Sequence, residues 1–170
     1  MQKRFYDSPI GEIVLAADAA GLTGLWFVGQ KYFPANLENT PCEAADPILA
    51  EAARWLDMYF SGREPDFMPP LHAVGTVFQH SVWQILRTIP YGTTTTYAEI
   101  ARALAAQLGG GRGSARAVGG AVGRNPISIL VPCHRVVGAD GSLTGYAGSL
   151  EKKRALLELE LAGARALRRP

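Results

Sequence analysis

The sequence predicts an α+β protein: a small N-terminal α/β domain with an antiparallel sheet, then a mainly helical C-terminal domain with a winged-helix-like helix-turn-helix. Three observations carry this. Two β-branched and aromatic runs near the N-terminus flank a turn. Later segments repeat apolar residues at helical spacing. Between them, residues 61–70 hold Gly62, Pro65, Pro69 and Pro70 and read as a linker, which divides the chain into 1–70 and 71–170.

Taken in order, residues 11–17 (GEIVLAA) and 22–28 (LTGLWFV) surround Asp18-Ala19-Ala20-Gly21, so an antiparallel hairpin is expected. Residues 30–47 are polar, carry Pro34, Pro41 and Pro47, and read as loop. Residues 48–60 place Leu49, Ala52, Ala53, Leu56 and Tyr59/Phe60 on a helical stripe. A helix over 76–88 aligns Val82, Ile85, Leu86 and Ile89 and is stopped by Pro90-Tyr91-Gly92. The next, 96–108, has Thr96 and Glu99 at capping-box spacing. After the glycine-rich 109–113, Ser114 is a suitable N-cap for a short helix over 114–123. Helix, turn and arginine-bearing helix make a helix-turn-helix pattern. Residues 127–131 form an apolar, strand-like run into Pro132-Cys133-His134-Arg135, and 150–161 is a final amphipathic helix.

Composition narrows the function. The 170 residues are 48% hydrophobic and 19% charged, which excludes a disordered chain. No apolar run approaches the ~20 residues of a membrane span. The first eight residues are followed by no apolar signal region, so the cytoplasm is the expected compartment. Cys42 and Cys133 are too few for a disulfide framework or an all-cysteine zinc site. The net charge of +2 hides a segregation. Residues 1–79 carry five Lys/Arg against ten Asp/Glu, and residues 80–170 carry twelve against five. A basic second half suits a polyanion, and on charge alone chance segregation over a solvated surface is the alternative.

Chemistry concentrates at Cys133. A thiolate is the reactive form of cysteine, and a neighbouring His can stabilise it. Cys42 sits in a polar loop without such company. Glu160 shares a helix face with Leu156 and Leu157, so if buried it needs a partner. An imidazole would supply one, in the carboxylate–His–nucleophile order of activated nucleophiles.

These residues carry a specific resemblance. Ile129-Leu130-Val131-Pro132-Cys133-His134-Arg135-Val136-Val137 resembles the active-site signature of the O6-alkylguanine-DNA alkyltransferases, also called methylated-DNA–protein-cysteine methyltransferases. Gly75-Thr76-Val77-Phe78-Gln79, Val82-Trp83, Ile89-Pro90-Tyr91-Gly92-Thr93 and Tyr97 resemble the family's segment before the helix-turn-helix. Ala115-Arg116-Ala117-Val118-Gly119 resembles its recognition helix, Asn125-Pro126 its hinge, and Gly145-Tyr146-Ala147-Gly148 its substrate loop.

The resemblance implies direct repair of double-stranded DNA containing O6-alkylguanine, with O4-alkylthymine open as a second substrate. The base is flipped out and its alkyl group moves to Cys133, without cofactor or metal. His134 would deprotonate Cys133 through a water, and Glu160 would orient His134. Tyr97 would donate to N3 of the flipped guanine. Tyr146 and Ala147 would cover the base, with the Ala147 N–H on O6, and the carbonyls of Cys133 and Val131 would accept from the exocyclic amine. Arg116 would fill the vacated stack, and Ala115, Ala117 and Gly119 would let the helix approach the minor groove. Asn125 would tie that helix to the active-site segment. Arg135 could serve structural pairing or phosphate contact. A monomer is implied, with cooperative DNA binding open.

Three departures stand out. The stretch 109–113 lengthens the Tyr97-to-Arg116 interval, either as an inert insertion or as an added backbone contact through Arg112. Ser149 replaces the family's second glycine after Tyr-Ala-Gly, and Ser128 replaces the proline of some animal relatives. The zinc ligands of some relatives are absent. Three other readings compete: a non-catalytic alkylation-damage-binding protein, a cysteine hydrolase, and a transcription factor. Cys133 argues against the first and is unneeded by the last. The helix-turn-helix is unexplained by the hydrolase.

Overall fold

The computed structural model describes residues 1–43, 45–110 and 113–167. Three antiparallel strands open the chain: β1 (Gln2–Ser8), β2 (Gly11–Ala17) and β3 (Leu22–Phe27), in that order across the sheet. The expected β2–β3 hairpin pairs Ile13 with Phe27 and Leu15 with Leu25. Its turn is held by the Asp18 carboxylate, which accepts from the Ala20 and Gly21 N–H groups at 2.9 and 3.1 Å. The sequence pattern gives no sign of β1. QKRFYDS lacks a clear apolar alternation because β1 is the outer strand and only partly buried.

Helix α1 (Pro47–Phe60) packs on β1 and β2. Asp46 caps it by accepting from Ile48 N and Leu49 N, both at 2.9 Å, and Pro47 stands at the first position, where its missing N–H costs nothing. The helical part follows: α2 (Val77–Leu86), α3 (Tyr97–Gln107), α4 (Ala115–Gly123) and α5 (Leu150–Leu167). Both Thr76/Gln79 and Thr96/Glu99 form capping boxes, and Ser114 caps α4. Helix α2 braces α3 and α4, and the Trp83 indole donates to Ala121 O at 2.9 Å. Helix α5 runs on to Leu167, past its expected end, because the helix-forming Ala162–Leu167 stretch contains no breaker but Gly163. In the helix-turn-helix, Gly113 lies so close to α3 that a Cβ there would collide with the Ala101 carbonyl. Arg112 lies outside the described residues.

The expected strand over 127–131 is instead a series of tight turns. Only Ile127 makes a strand-like bridge, to Leu25. The physical reason is that a run of buried apolar residues does not require extended backbone. Here turn bonds and the Asn125 side chain satisfy the peptide groups.

The outer edge of β3 is covered rather than exposed. Leu22 exchanges hydrogen bonds with Pro70 and His72, and Leu25 with Pro126 and Ser128, at 2.7–3.0 Å. An unpaired edge would invite association. Here it is used to hold the segment that leads to Cys133. One continuous apolar core runs from the sheet and α1 through α2, α3, α4 and Leu156 of α5. A two-residue parallel pair, β4 (Thr95–Thr96) with β5 (Val136–Val137), joins the start of α3 to the residues after Cys133.

Candidate active site and nucleic-acid face

The segment from Asn125 to Arg135 is built by side-chain and turn bonds. Asn125 follows the C-cap of α4 and is buried. Its Oδ1 accepts from Ile127 N at 3.0 Å, and its Nδ2 donates to Val131 O at 2.8 Å and Ile127 O at 3.3 Å. One amide thus joins the end of α4 to the approach to Cys133. Leu130 N donates to Ser128 O at 2.8 Å around Ile129, whose φ is 69°. That is a γ-turn of the strained kind, at a β-branched residue that rarely adopts positive φ. A second i to i+2 bond, Cys133 N to Val131 O at 2.8 Å, closes an inverse γ-turn at Pro132 (φ −81°, ψ 64°). The strain at Ile129 costs about 1–3 kcal/mol and persists only where the surroundings enforce it. The β3 edge and the Asn125 amide do so here.

Cys133, His134 and Arg135 form a short 3-10 turn whose side chains are all buried. Glu160, fully buried on α5, faces it and accepts five hydrogen bonds. Oε1 receives His134 Nε2 at 2.6 Å, the Tyr59 hydroxyl at 2.8 Å and an Arg135 terminal nitrogen at 3.0 Å. Oε2 receives Arg135 Nε at 2.9 Å and Gly92 N at 3.2 Å. Arg135 also donates to Ile89 O at 2.7 Å, so its role is structural pairing. Burial pushes the Glu160 carboxyl up, but hydrogen bonds and charge from His134 and Arg135 outweigh it and hold the group at about 2.

An ionised carboxylate only accepts, so His134 Nε2 carries the ring proton and Nδ1 is the basic nitrogen. Nδ1 is buried and has no hydrogen-bond partner among the described residues. Burial lowers the His134 pKa against the pull of Glu160. It raises that of the Cys133 thiol, against opposing effects of Asn125 and the Lys153 charge. The resting pair is therefore a neutral thiol beside a neutral imidazole with a free lone pair.

Sequence reasoning missed Lys153. It is fully buried and donates through Nζ to Val136 O (2.5 Å), Thr144 O (2.8 Å) and Gly145 O (3.4 Å). Burial lowers its pKa to about 8, while the nearby Cys133 opposes that shift. A signal exists in the spacing. Leu156 and Glu160 follow Lys153 by three and seven residues, hence on one helix face.

A cavity of about 740 Å³ opens beside this cluster. Tyr97, Ala115, Arg116, Gly119, Tyr146 and Ala147 all line it. Arg116 is exposed on α4. The Tyr97 hydroxyl donates to Thr144 O at 3.2 Å. A crevice of about 10 Å³ beneath it is lined by Cys133, Asn125, Ser128, Tyr146 and Ala147. Two residues stand apart. Ala117 is on the exposed face of α4 outside the cavity lining, and Val131 faces a different cleft with Leu71 and Trp83. The Val131 carbonyl already accepts from Asn125 and Cys133. The cavity also has a wall from the N-terminal part. Lys31 N donates to Ala147 O at 3.1 Å, and the Lys31 and Arg124 charges each lie over the Tyr32 ring, at 4.9 and 5.4 Å from its centroid.

Two family descriptions match consecutive parts of the chain. Residues 1–73 match the 6-O-methylguanine DNA methyltransferase ribonuclease-like domain, and residues 77–162 match the DNA binding domain of the same family. The chain belongs to the 6-O-methylguanine DNA methyltransferase family. Among similar members, the methylated-DNA–protein-cysteine methyltransferase of Mycobacterium leprae is 50% identical over 157 residues, covering 92% of this chain and 90% of that one. That of Mycobacterium tuberculosis is 48% identical over 163 residues, covering 96% and 94%. A crystal structure of Mycobacterium tuberculosis OGT in complex with DNA superposes with a TM-score of 0.84 at 44% identity, covering 96% of this chain and 94% of that one. In the segment that follows Tyr146-Ala147-Gly148 of this methyltransferase-family chain, Ser149 adopts φ 113°, a conformation suited to glycine. Among the described residues, no group of three or more His, Cys, Asp or Glu could hold a metal, and no helix is long and apolar enough to cross a membrane.

Proposed function

We propose that the chain repairs DNA by direct reversal: it flips O6-alkylguanine out of the duplex and transfers the alkyl group irreversibly to Cys133. The observation that carries this reading is the buried relay in which Glu160 holds the His134 proton on Nε2 and leaves Nδ1 free, beside a free thiol.

The exposed Arg116 fills the stack vacated by the flipped base, offsetting an unstacking cost of a few kcal/mol. The base occupies the cavity between Tyr97, α4 and the Tyr146–Ala147 loop. The crevice over Cys133 has room for about one water. The loop therefore moves outward for the alkyl carbon to reach Sγ. The thiol proton passes to His134 Nδ1, directly or through a water. The thiolate attacks the alkyl carbon, an S–C bond forms, and the C–O6 bond breaks with its electron pair left on guanine. Tyr97, turned from Thr144, donates to N3 as that charge develops, and the Ala147 N–H donates to O6. The exocyclic amine goes to the Cys133 carbonyl, which accepts one bond from Val136 N–H and has capacity for another. Asn125 keeps the acceptor in register with α4.

Residues 1–70 act as a support domain and 71–170 as the DNA-binding, acceptor domain. The site is complete within one chain, which supports a monomer. A free reactive thiol suits a reducing cytoplasm. With excess duplex containing O6-methylguanine, the protein is expected to restore one guanine per molecule and then stop. Cys133→Ser is expected to restore none. Continued turnover, or repair by Cys133→Ser, would overturn the reading. A damage-binding protein would leave the methyl group on the DNA.

A further inference from the structure

Tyr59 brings the N-terminal part into the relay. It lies in the last turn of α1, fully buried, with its ring stacked on Trp55 at 5.3 Å and edge-on to Tyr91 at 6.2 Å. Its hydroxyl donates to Glu160 Oε1 at 2.8 Å and stands 3.4 Å from His134 Nε2. Tyr59 and Glu160 are 101 positions apart in sequence.

We infer that Tyr59 is a positioning residue for alkyl transfer, whose hydroxyl competes with His134 for Glu160 Oε1 and so sets how readily His134 takes the Cys133 proton. This rests on the function proposed above. A carbonyl-type oxygen has two lone pairs, and Oε1 serves three donors. Each donor draws charge from the oxygen that would otherwise stabilise imidazolium. Removing the Tyr59 hydroxyl leaves more of that charge to His134, whose proton affinity rises. The imidazole then becomes protonated at higher pH and ceases to be a base. The other groups facing the pair are Arg135 and Cys133 in the 3-10 turn, Lys153 on α5, Tyr91 after α2 and Tyr146 in the substrate loop. None of them changes in the variant.

The test is the pH profile of methyl transfer by Tyr59→Phe, which keeps the ring and its stacking. Its acid limb is expected to move up by roughly half to one pH unit, a fraction of what a charge-assisted hydrogen bond contributes. Below the limb the rate would fall about three- to tenfold. Trp55→Phe, which alters only the packing, should lower thermal stability and leave the limb in place. Site-specific replacement of Tyr59 by a fluorotyrosine keeps the shape and strengthens the donor, so the limb should move down. An unmoved limb in both Tyr59 variants overturns the inference. Ring-nitrogen NMR of His134 in unreacted protein reads the same shifts without catalysis, so failure of the repair function itself is distinguished.

Discussion

At the scale of single residues, the chemistry depends on which charges are buried and what holds them. Cys133, His134 and Glu160 were legible in the sequence. The neighbouring Cys-His pair stands out by itself, whereas Glu160 on its apolar helix face is assigned through the family resemblance, since periodicity alone fits a partly exposed helix end. Lys153 is hidden in the sequence because Lys152 and Arg154 beside it suggest a solvated surface. Tyr59 is hidden because its spacing predicts only core, and its hydrogen bond spans both parts of the molecule. Lys153 binds the carbonyls of Val136, Thr144 and Gly145 and places a positive charge near the thiol. Lys153→Met should strand those carbonyls and cost about 1–3 kcal/mol in thermal or denaturant unfolding. It should also slow methyl transfer at neutral pH and let it recover as pH rises, because the thiol pKa moves up when the cation is lost. A stability loss with an unchanged pH profile would limit Lys153 to scaffolding.

At the scale of elements, helices are easier to read than strands. Capping boxes at Thr76 and Thr96, and the caps at Ser114 and Asp46, are local signals. β1 is a partly buried edge strand without apolar alternation, and the 127–131 segment depends on the distant β3 edge, so local pattern passes over the first and misassigns the second. The start of α5 shows two local rules in conflict. Ser149 accepts a capping bond from Lys152 N at 3.3 Å, yet its backbone sits at φ 113°. Substituting glycine loses the hydroxyl cap, worth only a few tenths of a kcal/mol against glycine. It also gains unfolded-state entropy, which opposes the benefit. Relief of the backbone strain, about 1 kcal/mol or more, outweighs both losses. Ser149→Gly is therefore expected to raise the melting temperature by about 1–4 °C. A lower melting temperature would mean that the cap outweighs the strain.

At the scale of the whole molecule, the charge segregation and the shared core explain why two unlike parts act together. The acidic first part braces the acceptor segment through the β3 edge, and the basic second part presents α4 and Arg116 to solvent. Reaction with duplex DNA should weaken as salt rises, through lost phosphate contacts, while reaction with a free alkylated base should hold nearly constant. Equal salt responses would argue against the basic part as the DNA face. The core continuity was not legible, because the proline-rich linker over 61–70 suggests separation, whereas its end pairs directly with β3.

The two cysteines allow the most direct test of the central claim. Cys42 is exposed and Cys133 is buried. General thiol reactivity would favour the exposed one, whereas a built site selects the buried one. After reaction with duplex O6-methylguanine DNA, intact mass followed by peptide mapping should find one methyl group per molecule, on Cys133, with Cys42 unmodified. A methyl group on Cys42, or an unchanged mass, would contradict the account.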